Sequence, residues 1–253
     1  VNAALNGSGT ASLAFEYGQG SVASGNASTY TIAAPVTLPA GDGKFTTKLG
    51  SDGTTRSFRV VTTLSGLQAI DSGLGLNYAL GASIDASGSA GLNGGLGFSP
   101  IGNESSSTIN SSNSFTGVFD GLGNSISALS INLPSTATVG LFASTSGATV
   151  QNLILSGGAM TGRDYVGALA GIAGNGTLVR RVNSSTQVTS SGRAGGLVAS
   201  ATATFDYASA SGAVTGVSDV GGLVGAASGS GSISHSSASG NVKFSALRIT
   251  TSG

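Results

Sequence analysis

Val220-Gly221-Gly222-Leu223-Val224-Gly225 has three forerunners in the chain: Ala194-Gly195-Gly196-Leu197-Val198-Ala199, Val166-Gly167-Ala168-Leu169-Ala170-Gly171 and Val139-Gly140-Leu141-Phe142. Going back along the sequence, their starts lie 26, 28 and 27 residues apart. Two more apolar columns keep this period: Val150, Leu178, Phe205 and Ile233, then Met160, Val188, Val214 and Val242. A period held by three columns at once marks a repeat architecture, in which no unit buries its own apolar face and each must stack on the next.

Each repeat carries three short apolar segments divided by Gly, Ser, Asn and Asp, and none leaves room for a helical crossover. The expected fold is all-β: a right-handed parallel β-helix of three-strand coils, about 26–28 residues per coil in the C-terminal half. Each strand then pairs in parallel with its equivalent one coil away, about 4.8 Å along the axis. Leu141, Leu169, Leu197 and Leu223 are predicted to form one internal stack, burying apolar surface worth about 25 cal/mol per Å². The glycines beside them are expected where coils approach closely or where corners need positive φ.

Upstream the pattern loosens but stays β-like. Phe115-Thr116-Gly117-Val118-Phe119-Asp120-Gly121, leading to Ile126, Leu129 and Ile131, reads as one more coil. Leu80 to Ser87 alternates as a period-2 strand. Ser99 to Asn113 reads as a turn-rich loop, and Leu64 to Ile70 as a helical turn or two. Lys44–Leu49 and Arg56–Thr62 flank Gly50-Ser51-Asp52-Gly53, which predicts a hairpin at about 44–62. No linker divides the chain. Residues 1–253 are read as one elongated solenoid, with a β-rich N-terminal part at 1–75 and the β-helix at 76–253.

Composition agrees. Forty-three glycines in 253 residues argue against long helices, because each costs about 1 kcal/mol in a helix interior. Only 8% of residues are charged, yet 39% are hydrophobic and regularly placed, which favours an ordered β protein over a disordered linker. Ten basic and ten acidic residues balance, so the basic footprint of a nucleic-acid binder is missing. No apolar run approaches the ~20 residues of a membrane-spanning helix. With no cysteine, disulfides, thiol catalysis and cysteine-ligated metals are excluded. Val1 opens no signal peptide, as expected of a mature protein or an excised piece.

The Val-Gly-Gly-Leu-Val-Gly element at 220–225, followed by Ile233 and Ser237-Ala238-Ser239-Gly240, resembles the GLUG repeat of bacterial surface proteins. GLUG-type coils then run from about residue 139. Three upstream segments add to the likeness: Tyr78 to Ser87, Phe98-Ser99-Pro100-Ile101-Gly102 and Phe115 to Gly121. Their succession is similar to segments of filamentous-haemagglutinin-like exoproteins exported by two-partner secretion. The resemblance covers residues 76–243 well. It implies a parallel β-helix, a secreted or bacterial cell-surface location, and roles in adhesion or biofilm formation. It names no ligand, because folds do not fix function.

Two surfaces are candidates for binding. The hairpin concentrates Lys44, Lys48, Arg56 and Arg59, with Tyr30, Phe45 and Phe58 nearby, and charge beside rings suits an acidic polysaccharide or a partner chain. Two residues after the second apolar column stand Asn152, Arg180, Tyr207 and His235, a predicted solvent-facing ladder suited to sugars. The bland alternatives are a solvated hairpin and a polar face with no ligand. Asp164, Arg193 and Asp219 are expected to meet on adjacent coils as a structural ion ladder. Asn-X-Ser/Thr triplets at Asn6, Asn26, Asn103, Asn110, Asn175 and Asn183 offer glycan acceptors, mostly by chance in so Ser-rich a chain.

Catalysis, cofactors and metals are not expected. His235 is the single histidine, and the acids are scattered without Asp-Asp pairs. The rival reading is a carbohydrate-active β-helix enzyme, a polysaccharide lyase or glycosidase, with Asp85 and Asp120 brought together by stacking. Expected partners are a polysaccharide or a host or cell-surface glycan, and neighbouring segments of the same long chain. Nucleic acid and membrane insertion are not expected.

Overall fold

A computed structural model describes residues 1–102 and 112–245. The chain winds into a parallel β-solenoid of about 8 turns. The turn-rich segment expected at 99–113 falls mostly outside the described residues, as do Asn103, Asn110 and Glu104.

One coil runs through four short faces. Tyr165–Gly167 forms the first, Ala170–Ala173 the second, Leu178–Ser184 the third and longest, and Gln187–Ser190 the fourth. Each pairs in parallel with its counterparts before and after, for example Val139↔Val166↔Ala194↔Val220 on the first face. Where three strands per coil were expected, the Val-Gly-Gly-Leu-Val-Gly element supplies two strands separated by a bend. The leucine at that bend points into the corner of the core. Leu141, Leu169, Leu197 and Leu223 are all buried, and successive coils are tied there by Leu169 N donating to Leu197 O at 2.9 Å and Leu197 N to Leu223 O at 2.8 Å. Gly195 and Gly221 sit at the bend between the first two faces, where a Cβ on either would stand 1.9 Å from the carbonyl oxygen of Val198 or Val224 in the same coil.

The inward stack on the long face is Phe119, Val150, Val179, Phe205 and Ile233. Leu178, assigned to this stack from the sequence, instead pairs with Thr149 and Thr204 and faces outward. The earlier coils fill the core with larger side chains. Phe115 stacks on Phe142 at 4.8 Å, and Phe119 meets Phe142 edge-on at 5.7 Å.

The N-terminal part is a strap laid against the outside of the long face. The hairpin forms as expected from Gly41–Leu49 and Arg56–Val61, antiparallel, and its second strand joins the long face through Val60↔Ala79. Val61 points into the solenoid. Val60, Ala79 and Val118 point out and are covered by Ile32, Val36, Leu38 and Phe58 in a second core. Thr63 caps the helical turn at Leu64–Gln68 by accepting from Gly66 N. Leu80 to Ser87 is not one strand but two, Tyr78–Leu80 and Ile84–Asp85, because Gly81 turns aside to accept Leu38 N at 2.9 Å.

Candidate binding face

Parallel register sets side chains of successive coils one above another, so the outward residues of the long face form rows along the axis. One row is Asp120, Gln151, Arg180, Asp206 and Ser234. Beside it runs a corner at which Asn152, Arg181, Tyr207 and His235 all take positive φ, between 48° and 54°. The ladder expected as Asn152, Arg180, Tyr207 and His235 is therefore two rows: Arg180 stands in the first, and Arg181 takes the corner. Nor is the corner wholly solvent-facing, for Asn152 is 4% exposed while Tyr207 is 49% exposed.

The corner residues stack. The Arg181 guanidinium lies 5.2 Å from the Tyr207 ring centroid, and Tyr207 lies parallel to His235 at 4.5 Å and 7°. Each coil thus places a flat group on its neighbour, offsetting the backbone strain of positive φ. In the adjacent row Asp206 gathers His235 Nδ1 at 3.0 Å, Ser234 Oγ at 3.2 Å and Arg180 Nε at 3.3 Å. The hydrogen bond from His235, then those from Ser234 and Arg180, hold the Asp206 carboxyl below the usual carboxylate range against the opposing effect of burial.

At the other end of the row, Asp120 is buried among four donors. It accepts from the Tyr30 hydroxyl, from Gln151 Nε2 at 2.8 Å, from Leu122 N at 2.9 Å and from Asn152 Nδ2 at 3.0 Å. Burial pushes the Asp120 carboxyl up, and these four bonds oppose it. Tyr30 belongs to the strap, so this cluster staples the strap to the solenoid. Burial, and then the Asp120 charge, push the Tyr30 phenol well above its ordinary value. Asp85 does not join Asp120: it is exposed and pairs with Ser127, whereas the coil neighbour of Asp120 is Ala79. The carboxylate pair considered for a glycosidase does not form.

The four basic residues of the hairpin are also dispersed. Arg59 is bound by Asp42 at 2.6 Å, Lys44 donates to Thr10 O at 3.4 Å, and Lys48 pairs in register with Glu16. Arg56 instead opens into a cleft between strap and long face, where it meets Arg180. Of the expected ion ladder, Arg193 and Asp219 pair at 2.5 Å, while Asp164 is taken by the adjacent Arg163 at 2.9 Å.

Sequence reasoning missed Arg181, the Asp120 cluster and Tyr17, which lines the cleft. Nothing local marked them, since each acquires its neighbours from coils or strap segments far away in the chain.

The family described as "The GLUG motif" matches residues 216–243. That is the span of one coil, from the end of the fourth-face strand Val214–Gly216 to the equivalent strand Val242–Phe244. The chain is 39% identical over 155 residues, 59% of its length, to halomucin of Haloquadratum walsbyi. No solved structure matches. The match spans 2% of halomucin, so what this chain is similar to is one short stretch of a far longer protein.

Proposed function

We propose that this chain is a structural segment of a large surface or secreted protein and that it serves in attachment rather than catalysis. The observation that carries the reading is the unbroken register of the long face from Phe119 to Ile233. Such a ladder extends a protein along one axis and presents the same outward positions again on every coil. The GLUG match over one coil and the likeness to a small part of halomucin support a place within a long repetitive protein. Export by two-partner secretion and a role in biofilm formation belong to the same proposal and follow the filamentous-haemagglutinin-like resemblance.

Microspheres bearing the chain at fixed density, driven by flow over a polysaccharide-rich biofilm matrix, test the attachment reading. Retention above that of albumin-coated spheres is expected, and equal retention overturns it. Incubation with pectin, alginate, hyaluronan and chitin, with and without calcium, is expected to release no new chain ends. Cleavage that Asp120→Asn abolishes would replace this reading with the enzymatic one.

A further inference from the structure

We propose that the cleft between the strap and the long face recognises an anionic sugar residue, through the carboxylate of a uronate or a sulfate ester on the ring. This goes beyond the attachment reading and does not depend on it.

The cleft has a volume of about 110 Å³, and its lining joins Tyr17, Tyr30 and Arg56 of the N-terminal part to Gln151, Leu178 and Arg180 of the coils. Arg56 and Arg180 stand 124 residues apart in sequence, and the strap's docking brings both to the same opening. Both guanidinium charges act on the Tyr17 phenol and draw its pKa down, although burial, the larger effect, leaves it raised.

The donors here lack acceptors. Arg56 has neither hydrogen bond nor ion pair among the described residues, and Arg180 gives Asp206 only its Nε, which leaves both terminal nitrogens unused. The hydroxyls of Tyr17, Thr29, Thr47 and Thr149, all at the cleft, make no hydrogen bond within the described residues. No carboxylate lines the cleft: Asp120, bound to the lining residues Tyr30 and Gln151, is already saturated by four donors, and Asp206 holds only Nε of Arg180. A concave site that offers two guanidinium groups and several free hydroxyls, with no anionic side chain in its lining, selects an oxyanion, and arginine nitrogens suit planar or tetrahedral oxygens.

The rest of the lining suggests what carries the anion. Phe58, Val118 and Leu178 give the cleft an apolar wall. Leu178 interrupts an outward row whose neighbours are Thr149 and Thr204, so an apolar side chain stands where the adjacent coils have hydroxyls. An anionic group attached to a ring with a C–H face fills both halves of such a site. A free inorganic anion fills one.

The test measures binding of the whole chain to oligogalacturonate, to sulfated dextran oligomers and to neutral dextran by isothermal calorimetry. Anionic oligomers are expected to bind and neutral dextran not to, and the stronger of the two anionic arms identifies carboxylate or sulfate. Arg56→Gln and Arg180→Gln should each weaken binding about tenfold, as loss of a charge-assisted pair implies. Lys44→Gln combined with Lys48→Gln removes as much charge as the two arginine changes together and should alter affinity less than about twofold. Tyr17→Phe deletes an unbonded hydroxyl, so it should weaken binding a few-fold without moving the Tm. Equal losses from the lysine and arginine pairs would reduce the effect to unspecific charge and overturn the proposal. So would neutral dextran binding as tightly as the anionic oligomers, or no binding by either anionic oligomer.

Discussion

Replacing Leu197 by alanine tests whether the leucine stack carries the fold. Leu197 is fully buried, with Leu169 on one side and Leu223 on the other. Its carbonyl and amide are held to both neighbours by bonds of 2.9 and 2.8 Å, so the coils cannot move together to close a cavity. Leu-to-Ala changes in protein cores cost about 2.7–5.0 kcal/mol, with the larger values where the surroundings cannot relax. Leu197→Ala is therefore expected to cost about 4 kcal/mol. Leu223 is 9% exposed and, among the described residues, stacks on one leucine rather than two, so Leu223→Ala should cost about 2 kcal/mol. Urea denaturation followed by far-UV circular dichroism gives the overall loss. Hydrogen exchange locates it, because solenoids open in local units. If Leu223→Ala costs as much as Leu197→Ala, or if both cost under about 1 kcal/mol, the stack does not bear the load assigned to it.

Gly195→Ala should lower stability by more than about 3 kcal/mol or prevent folding, since its Cβ would overlap the Val198 carbonyl. Gly88→Ala, with nothing within 4 Å of the added carbon, should leave the Tm nearly unchanged, and similar Tm values for the two variants would refute the close-approach argument. Tyr30→Phe removes a hydrogen bond to a buried carboxylate and should loosen the strap by about 1.5–3 kcal/mol. Limited proteolysis should then cut the first 40 residues sooner while coils beyond residue 160 stay protected; unchanged cleavage contradicts the staple. Asp206 has a folded-state pKa below its unfolded value, so its contribution is present above about pH 3.9 and is lost as pH falls through the lower folded value. Stability of the native protein should accordingly decline more steeply below pH 4 than that of Asp206→Asn, and parallel acid titrations would deny the linkage.

The coil period and the leucine stack were legible because glycine and leucine recur at the bend in each of the four coils from Val139 to Gly225. The row assignments slipped by one residue for a definable reason. Between the second face and the long face, eight residues separate Phe142 from Val150, nine separate Ala170 from Val179, seven separate Val198 from Phe205, and nine separate Val224 from Ile233. A constant count along the chain places Leu178 in the core and Arg180 at the corner, whereas hydrogen-bond register places Val179 and Arg181 there. The strap was harder still. Its apolar residues answer to the outer side of Val60, Ala79 and Val118 and not to a copy of themselves, so no period betrays them. Hence the meeting of Arg56 with Arg180 has no signature in the linear sequence.

The closed register of the coils also determines how the chain yields to force. Neighbouring coils are joined by hydrogen bonds that run along the axis, so tension on the C-terminal end loads the outermost coil before any other. A coil advances the solenoid by only about 4.8 Å. The same 26–28 residues, drawn straight at up to about 3.4 Å each, reach roughly 90 Å. Each coil that peels away therefore lengthens the tether many-fold while leaving the coil beneath intact, and the Tyr30–Asp120 staple secures the far end. Under shear, such a segment extends in steps instead of snapping, and a single-molecule pulling trace would record those steps as a sawtooth with one tooth per coil.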